Sequence, residues 1–201
     1  MGKYVRYLHG TPDIGTVNIL DGEVPVVREL RFGLMTPYLF AEKPEGFHIE
    51  EESGISGWRL MRQDTEQMTT WVLTGEEGRP LLVPVEDPDT SIQDAAGLRL
   101  ANFGKEEVDL YMGNLAEEQQ ELLAHVEPGE VTEYQTVQPG RYFMDLRPAG
   151  NPDEVLARIP NLTLRKNVLY TLYVIGNENQ WRTILTVDGA SYLPWPAETN
   201  G

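Results

Sequence analysis

The amino-acid sequence predicts an all-β protein made of two structurally equivalent halves, and three observations carry the prediction. Short runs rich in Val, Leu, Ile, Thr and aromatic residues recur at intervals of roughly 10 residues, with Gly and Pro between them, as in a sandwich or barrel. The order of these runs restarts near the middle of the chain, so that Val5-Arg6-Tyr7-Leu8-His9 and Val17-Asn18-Ile19-Leu20-Asp21-Gly22 return as Leu98-Arg99-Leu100-Ala101-Asn102 and Val108-Asp109-Leu110-Tyr111-Met112-Gly113. Helical spacing appears in one segment only, Asn114 to Ala124, where Leu115, Leu122 and Leu123 share a face.

The first half begins with Tyr4 to His9, which places Val5, Tyr7 and His9 on one face and Tyr4, Arg6 and Leu8 on the other, the period-2 pattern of a strand. Gly10-Thr11-Pro12-Asp13-Ile14-Gly15 ends it as a loop. Thr16 to Leu20 is a second strand that stops at Asp21-Gly22, a dipeptide suited to a hairpin turn with positive φ. Glu23 to Leu30 returns antiparallel, and Pro25, which cannot donate to a ladder, predicts an edge position or a bulge. Thr36 to Phe40, Phe47 to Ile49, Trp58 to Met61, Thr69 to Gly75 and Leu81 to Val85 complete the strands of this half.

The strand pattern breaks at Glu86-Asp87-Pro88-Asp89-Thr90-Ser91-Ile92-Gln93-Asp94-Ala95-Ala96-Gly97. This break implies a first repeat over 1–86, an acidic linker over 87–96, a second repeat over 97–193 and a tail over 194–201. Matched landmarks drift slowly apart, from Val5 and Leu98 through Gly33 and Gly129 to Gly75 and Gly176, as small loop insertions in the second copy would make them. Gly33 to Tyr38 matches Gly129 to Tyr134, and Leu82 to Asp87 matches Ile184 to Asp188. Because the counterpart of Asn114 to Ala124 in the first copy is strand, Gln120 to Val126 has a strand reading as well as a helical one. The repeat permits two separate domains or one fused assembly of sheet pairs.

Composition removes several function classes. The 32 acidic residues against 16 basic ones give a formal charge of -16, a surface that repels phosphate backbones and anionic headgroups and argues against a nucleic-acid partner. The absence of cysteine removes disulfides, thiolate metal sites, thiol catalysis and iron–sulfur chemistry. The start, Met1-Gly2-Lys3-Tyr4, enters a strand with no signal-like apolar run, and no stretch approaches the roughly 18 apolar residues of a spanning helix. The expectation is a soluble, unexported chain with no membrane insertion, unless a leader was removed. There is no Gly-x-Ser-x-Gly elbow, P-loop, dinucleotide fingerprint or His-Glu-x-x-His helix.

Arg6, His9, Pro12-Asp13, Val17 and Gly22, answered by Arg99, Asn102, Val108 and Gly113 and accompanied by Gly33/Tyr38 and Gly129/Tyr134, resemble the bacterial domain-of-unknown-function family 4397 (DUF4397), in two tandem copies. The second copy departs from the family pattern in having Gly104-Lys105-Glu106-Glu107 in place of the Pro-Asp loop. The resemblance implies an immunoglobulin-like or transthyretin-like β-sandwich, in a family often exported or associated with the envelope. It implies no activity.

Several constellations carry expectations. His9, Pro12 and Asp13 occur in this form in the first copy only, which makes them a candidate ligand-binding loop, with a local capping role for His9 as the structural reading. Trp195, between Pro194 and Pro196, is either a clamp on the last domain or a contact for a sugar or protein. Asp87, Asp89 and Asp94 supply the hard oxygen ligands of a calcium site, against the reading of a solvated acidic linker; no other cofactor is expected. Arg6 and Arg99 are structural, with Arg99 pairing Asp109 across strands and Arg6 reaching Asn18 or a loop carbonyl. Of the consecutive Glu50, Glu51 and Glu52, only Glu50 and Glu52 share a face, which does not make a catalytic dyad.

The function expected is that of a non-catalytic binding or structural module, recognising a protein or glycan through sandwich-end loops or sheet edges. The contrasting reading is a hydrolase or metal-dependent enzyme that uses His48 and nearby carboxylates. A third is architectural, with sheet edges pairing into oligomers.

Overall fold

The computed structural model describes residues 3–41, 47–51, 58–60, 68–115 and 119–192. The chain divides into two compact units, Met1–Asp87 with Ile175–Gln180, and Pro88–Val174 with Trp181–Gly201. Each holds two four-stranded sheets.

The strands of the first unit are β1 (Lys3–His9), β2 (Val17–Asp21), β3 (Val24–Leu30), β4 (Leu39–Ala41), β5 (Phe47–Glu51), β6 (Trp58–Leu60), β7 (Met68–Glu76) and β8 (Arg79–Glu86). One sheet has the order β4-β1-β7-β8 and the other β3-β2-β5-β6. β1 runs parallel to β7, with Arg6 level with Thr70, while the β7–β8 and β2–β3 hairpins are antiparallel. Gly22 takes the positive φ of 61° that the Asp-Gly turn requires. Pro25 lies on β3, an edge strand whose register shifts on either side of Ile19, in keeping with a residue that has no ladder donor.

The second unit contains β9 (Ala96–Phe103), β10 (Val108–Asn114), β11 (Gln120–Val126), β12 (Gln135–Val137), β13 (Gly140–Pro148), β14 (Ala157–Leu164), most of β15 (Val168–Asn177), most of β16 (Gln180–Val187) and the short helix α1 (Gly189–Tyr192). Its sheets, β12-β9-β15-β16 and β11-β10-β13-β14, repeat the orders of the first unit strand for strand. The backbone bonds repeat too: Gly33 N–H donates to His9 C=O and Gly129 N–H to Asn102 C=O, both glycines at φ near 80°, where a side chain is strained. The segment with helical spacing is strand at both ends, since Asn114 closes β10 and Gln120–Ala124 lies in β11.

Alternation along the strands explains the two cores. Val5, Tyr7, Val17, Ile19, Ile49, Trp71 and Leu73 pack together in the first unit; Leu98, Leu100, Val108, Leu110, Met144, Leu146, Leu172 and Val174 do so in the second. Each buried aliphatic side chain stabilises by roughly 1.5–3 kcal/mol relative to exposure. Both faces of β1 are enclosed, because Arg6 and Leu8, opposite to Val5 and Tyr7, are as deeply buried as they are. Among the described residues no helix is long and apolar enough to cross a membrane.

The expected Arg99–Asp109 pair does not form. β9 and β10 belong to different sheets, and Arg99 sits between core-facing Leu98 and Leu100 as Asp109 sits between core-facing Val108 and Leu110. Successive strand residues point to opposite faces, so both side chains leave the core in opposite directions.

Candidate functional site

Two buried polar knots occupy equivalent places in the units. In the first, the Arg6 Nε–H donates to Thr70 Oγ1 at 2.6 Å, the Thr70 and Tyr38 hydroxyls each donate to Asp87 Oδ2 at 2.6 Å, and an Arg6 Nη lies 3.7 Å from Asp87 Oδ1. The Arg6 guanidinium also stacks 4.5 Å from the centre of the Tyr38 ring. In the second, Arg99 Nε–H donates to Thr171 Oγ1 at 2.7 Å, the Thr171 and Tyr134 hydroxyls donate to Asp188, and Arg99 stacks over Tyr134 at 4.5 Å. A buried charge needs this degree of saturation to offset its desolvation. Arg6 and Arg99 lie in these knots, away from the Asn18 and Asp109 partners expected for them; the Asn18 side chain instead accepts the Glu29 N–H at 3.0 Å. No local pattern in the sequence marks Thr70, Thr171 or Asp188, although the repeat aligns Thr70 with Thr171 and Asp87 with Asp188.

Asp87 therefore does not belong to a solvated linker, being 3% exposed within a knot. Asp94, at φ 60°, pairs with Lys166 Nζ at 2.5 Å, and Asp89 is exposed. The calcium ligands expected over 87–96 are thus dispersed, and among the described residues no group of three or more His, Asp or Glu side chains forms a metal site.

His9 is fully buried, and its Nε2 lies 2.8 Å from the Gly15 carbonyl, which caps the loop. Burial lowers its pKa below the usual imidazole value, against the opposing pull of that backbone bond. Asn102 performs the same act in the second unit, donating to the Glu106 carbonyl at 2.8 Å. Asp13, two residues beyond Thr11, receives the Asn177 amide at 3.1 Å within the first unit. Pro12 lies in the turn between them. His48 stands 3.7 Å from Glu50 on β5, both side chains partly solvated. Trp195 lies outside the described residues.

The outer face of β11-β10-β13-β14 carries a constellation that the sequence did not announce. Asp145 on β13 is fully buried, although it points away from the core. Arg158 on β14 binds both of its oxygens, at 2.6 and 2.7 Å; the Gln120 amide adds a bond at 2.9 Å and Arg147 another at 3.1 Å. These donors, Arg158 foremost, hold the Asp145 pKa down to about 2 despite its burial. Arg147 is itself anchored by Gln120 Oε1 and the Pro152 carbonyl, and stacks 4.6 Å from the centre of the Tyr111 ring. The corresponding positions of the first unit, read through the register, hold Leu20 for Tyr111, His48 for Asp145 and Glu50 for Arg147. At the rim of the same face, His125 on β11 stands opposite Asp109 on β10. Its pKa is raised, chiefly by the hydrogen bond to Asp109.

Fold and side chains together define an all-β protein with sheets in sandwich-like pairs, a saturated polar knot in each unit and an organised outer face in the second. Residues 103–198 match a family model described as "Domain of unknown function (DUF4397)". A search of the curated proteins finds no match. Among solved structures, the chain is similar to the C-terminal domain of AlgF from P. aeruginosa, at 15% identity and a TM-score of 0.37, with 47% of this chain and 99% of that one covered. It is also similar to CBMbc, of family CBM26, from Eubacterium rectale Amy13K, crystallised with maltoheptaose, at 10% identity and a TM-score of 0.26 over 96% of this chain and 98% of that one. A leucine-rich repeat protein from Bacteroides thetaiotaomicron is similar at 12% identity and a TM-score of 0.24, covering 88% of this chain and 26% of that one.

Proposed function

We propose that the chain comprises two tandem copies of the DUF4397 domain, each an immunoglobulin-like or transthyretin-like sandwich. They serve as a non-catalytic module that recognises a protein or glycan through the outer face and rim loops of the second copy. The observation that carries this reading is the network of Arg158, Asp145, Gln120 and Arg147 beside the Tyr111 ring. The knots recur in both units, whereas His48 and Glu50 stand in the first unit where Asp145 and Arg147 stand in the second. Planar groups that hold one another in place lose little further freedom when a partner arrives, so such a face is suited to recognition at low ordering cost.

The experiment compares the wild-type chain with a Tyr111→Ala/Arg158→Ala variant on a glycan array and in capture from native extract, with circular dichroism as the check on folding. A ligand held by the wild type and lost by the folded double variant is the expected result. A wild type that retains nothing, or a variant that retains the same ligand, refutes the assignment of this face.

A further inference from the structure

The rim of the second unit holds a histidine outside the network of Arg158, Asp145, Gln120 and Arg147. His125 Nδ1 lies 2.8 Å from Asp109 Oδ1, and the other Asp109 oxygen accepts the Gly150 N–H at 3.1 Å. The Asp109 side chain is 10% exposed and the imidazole 50% exposed. A nearly buried carboxylate, itself held by the backbone, thus orients an accessible ring and leaves Nε2 as the outward nitrogen. That nitrogen is 3.9 Å from Oε2 of Glu107, a residue 55% exposed at its side chain.

A carboxylate on one imidazole nitrogen, with the other nitrogen open, is the arrangement that orients a histidine toward a metal ion. Two ligands of a tetrahedral ion at zinc-type bond lengths stand about 3.3 Å apart. Closing the 3.9 Å gap needs only a small rotation of the exposed Glu107 side chain. The excess of 32 acidic over 16 basic residues also raises the local concentration of cations. We propose that His125 Nε2 and Glu107 bind a divalent ion of the zinc, nickel or copper type, with Asp109 as the positioning residue and water completing the coordination. An imidazole with one carboxylate selects such ions over calcium and magnesium, which take oxygen ligands.

His48 provides an internal comparison. It has the same two ligand types, with Nε2 3.7 Å from Glu50 Oε1, but among the described residues no carboxylate orients its ring from behind. The orienting carboxylate therefore predicts that His125 is occupied before His48.

The test titrates the full chain with Zn2+ at about pH 8.5, where a histidine is neutral, reading the three histidine rings by NMR and the affinity by calorimetry. The His125 ring signals are expected to move first, well before those of His48. Asp109→Asn weakens binding about tenfold or more, the usual effect of removing an orienting partner. Glu107→Gln weakens it further, and His125→Gln abolishes the first binding event. His125→Gln and Glu107→Gln alter half-exposed side chains and leave the melting temperature in place, so they decide the matter if Asp109→Asn disturbs the fold. Binding unchanged in His125→Gln or in Glu107→Gln, equal responses from His48 and His125, or the same ring shifts with Ca2+ would each overturn the proposal.

Discussion

Replacing His9 with asparagine tests how the two units use one position. His9 is fully buried and serves its loop through the Gly15 carbonyl, at 2.8 Å. Asn102 serves the matching carbonyl of Glu106 at the same 2.8 Å, without a titrating ring. Burial lowers the folded-state pKa of His9 below 6.5. The unfolded chain then binds a proton that the folded chain refuses, so the contribution of His9 is intact above about pH 6.5 and is lost as pH falls from there through the folded value. The slope is at most about 1.4 kcal/mol per pH unit for one proton. In His9→Asn that slope disappears, while the stability near neutrality changes by about 1 kcal/mol, as for an ordinary buried substitution. His125 has the opposite sign: its raised pKa stabilises below pH 6.5 and the effect is lost as pH rises through the folded value, but it cancels in the difference between the two proteins. Denaturant unfolding at half-unit steps between pH 8 and pH 5, together with hydrogen exchange on β1 and β7, measures that difference. A gap between wild type and variant that stays constant from about pH 6.5 downward would refute the reasoning.

The remaining expectations concern the knots, the outer face and the hairpins. Asp87→Ala leaves Arg6 buried without its carboxylate and is expected to cost about 3–5 kcal/mol, read by denaturant unfolding; Asp188→Ala does the same to the second unit, and a loss under about 1 kcal/mol contradicts the account of the knots. Asp145→Asn removes a group whose pKa falls from 3.8 to about 2, so wild type loses this contribution between those values as pH falls and the variant shows no such acid limb in its melting temperature. Gly75→Ala and Gly176→Ala drive a Cβ into the carbonyl oxygens of Arg79 and Gln180 respectively, at φ of 97° and 105°. Each is expected to destabilise by about 1–3 kcal/mol, and thermal melts that coincide with wild type would contradict the backbone clash and strain argued for these positions.

Much of the fold was legible because strands announce themselves by alternation and turns by residues that few others can replace. Tyr4 to His9 and Leu98 to Asn102 read as strands from their side chains alone, and Gly22 marked a turn that demands positive φ. Asn114 to Ala124 was ambiguous for a physical reason: three leucines at suitable spacing satisfy a helix face, and register with β10 decides otherwise. Less of the candidate site was legible. Arg6 and Arg99 stood out as charges inside apolar strands, but their partners Thr70, Asp87, Thr171 and Asp188 lie far along the chain and become neighbours only through the β1–β7 register and its equivalent. Asp87 looked like linker because local composition cannot distinguish a carboxylate that ends a domain from one that joins two.

By itself, the sequence determined the strand content, the repeated order of elements and the positions where charge interrupts an apolar strand, because these depend on short-range periodicity and backbone allowance. Only the tertiary structure decided which sheet each strand entered. It therefore also decided that Arg99 and Asp109 face away from each other, that Arg158, Gln120 and Arg147 converge on Asp145, and that His125 is tied to Asp109. Such pairings depend on register across strands distant in sequence, where a shift of one residue reverses every side chain, and no local pattern encodes that choice.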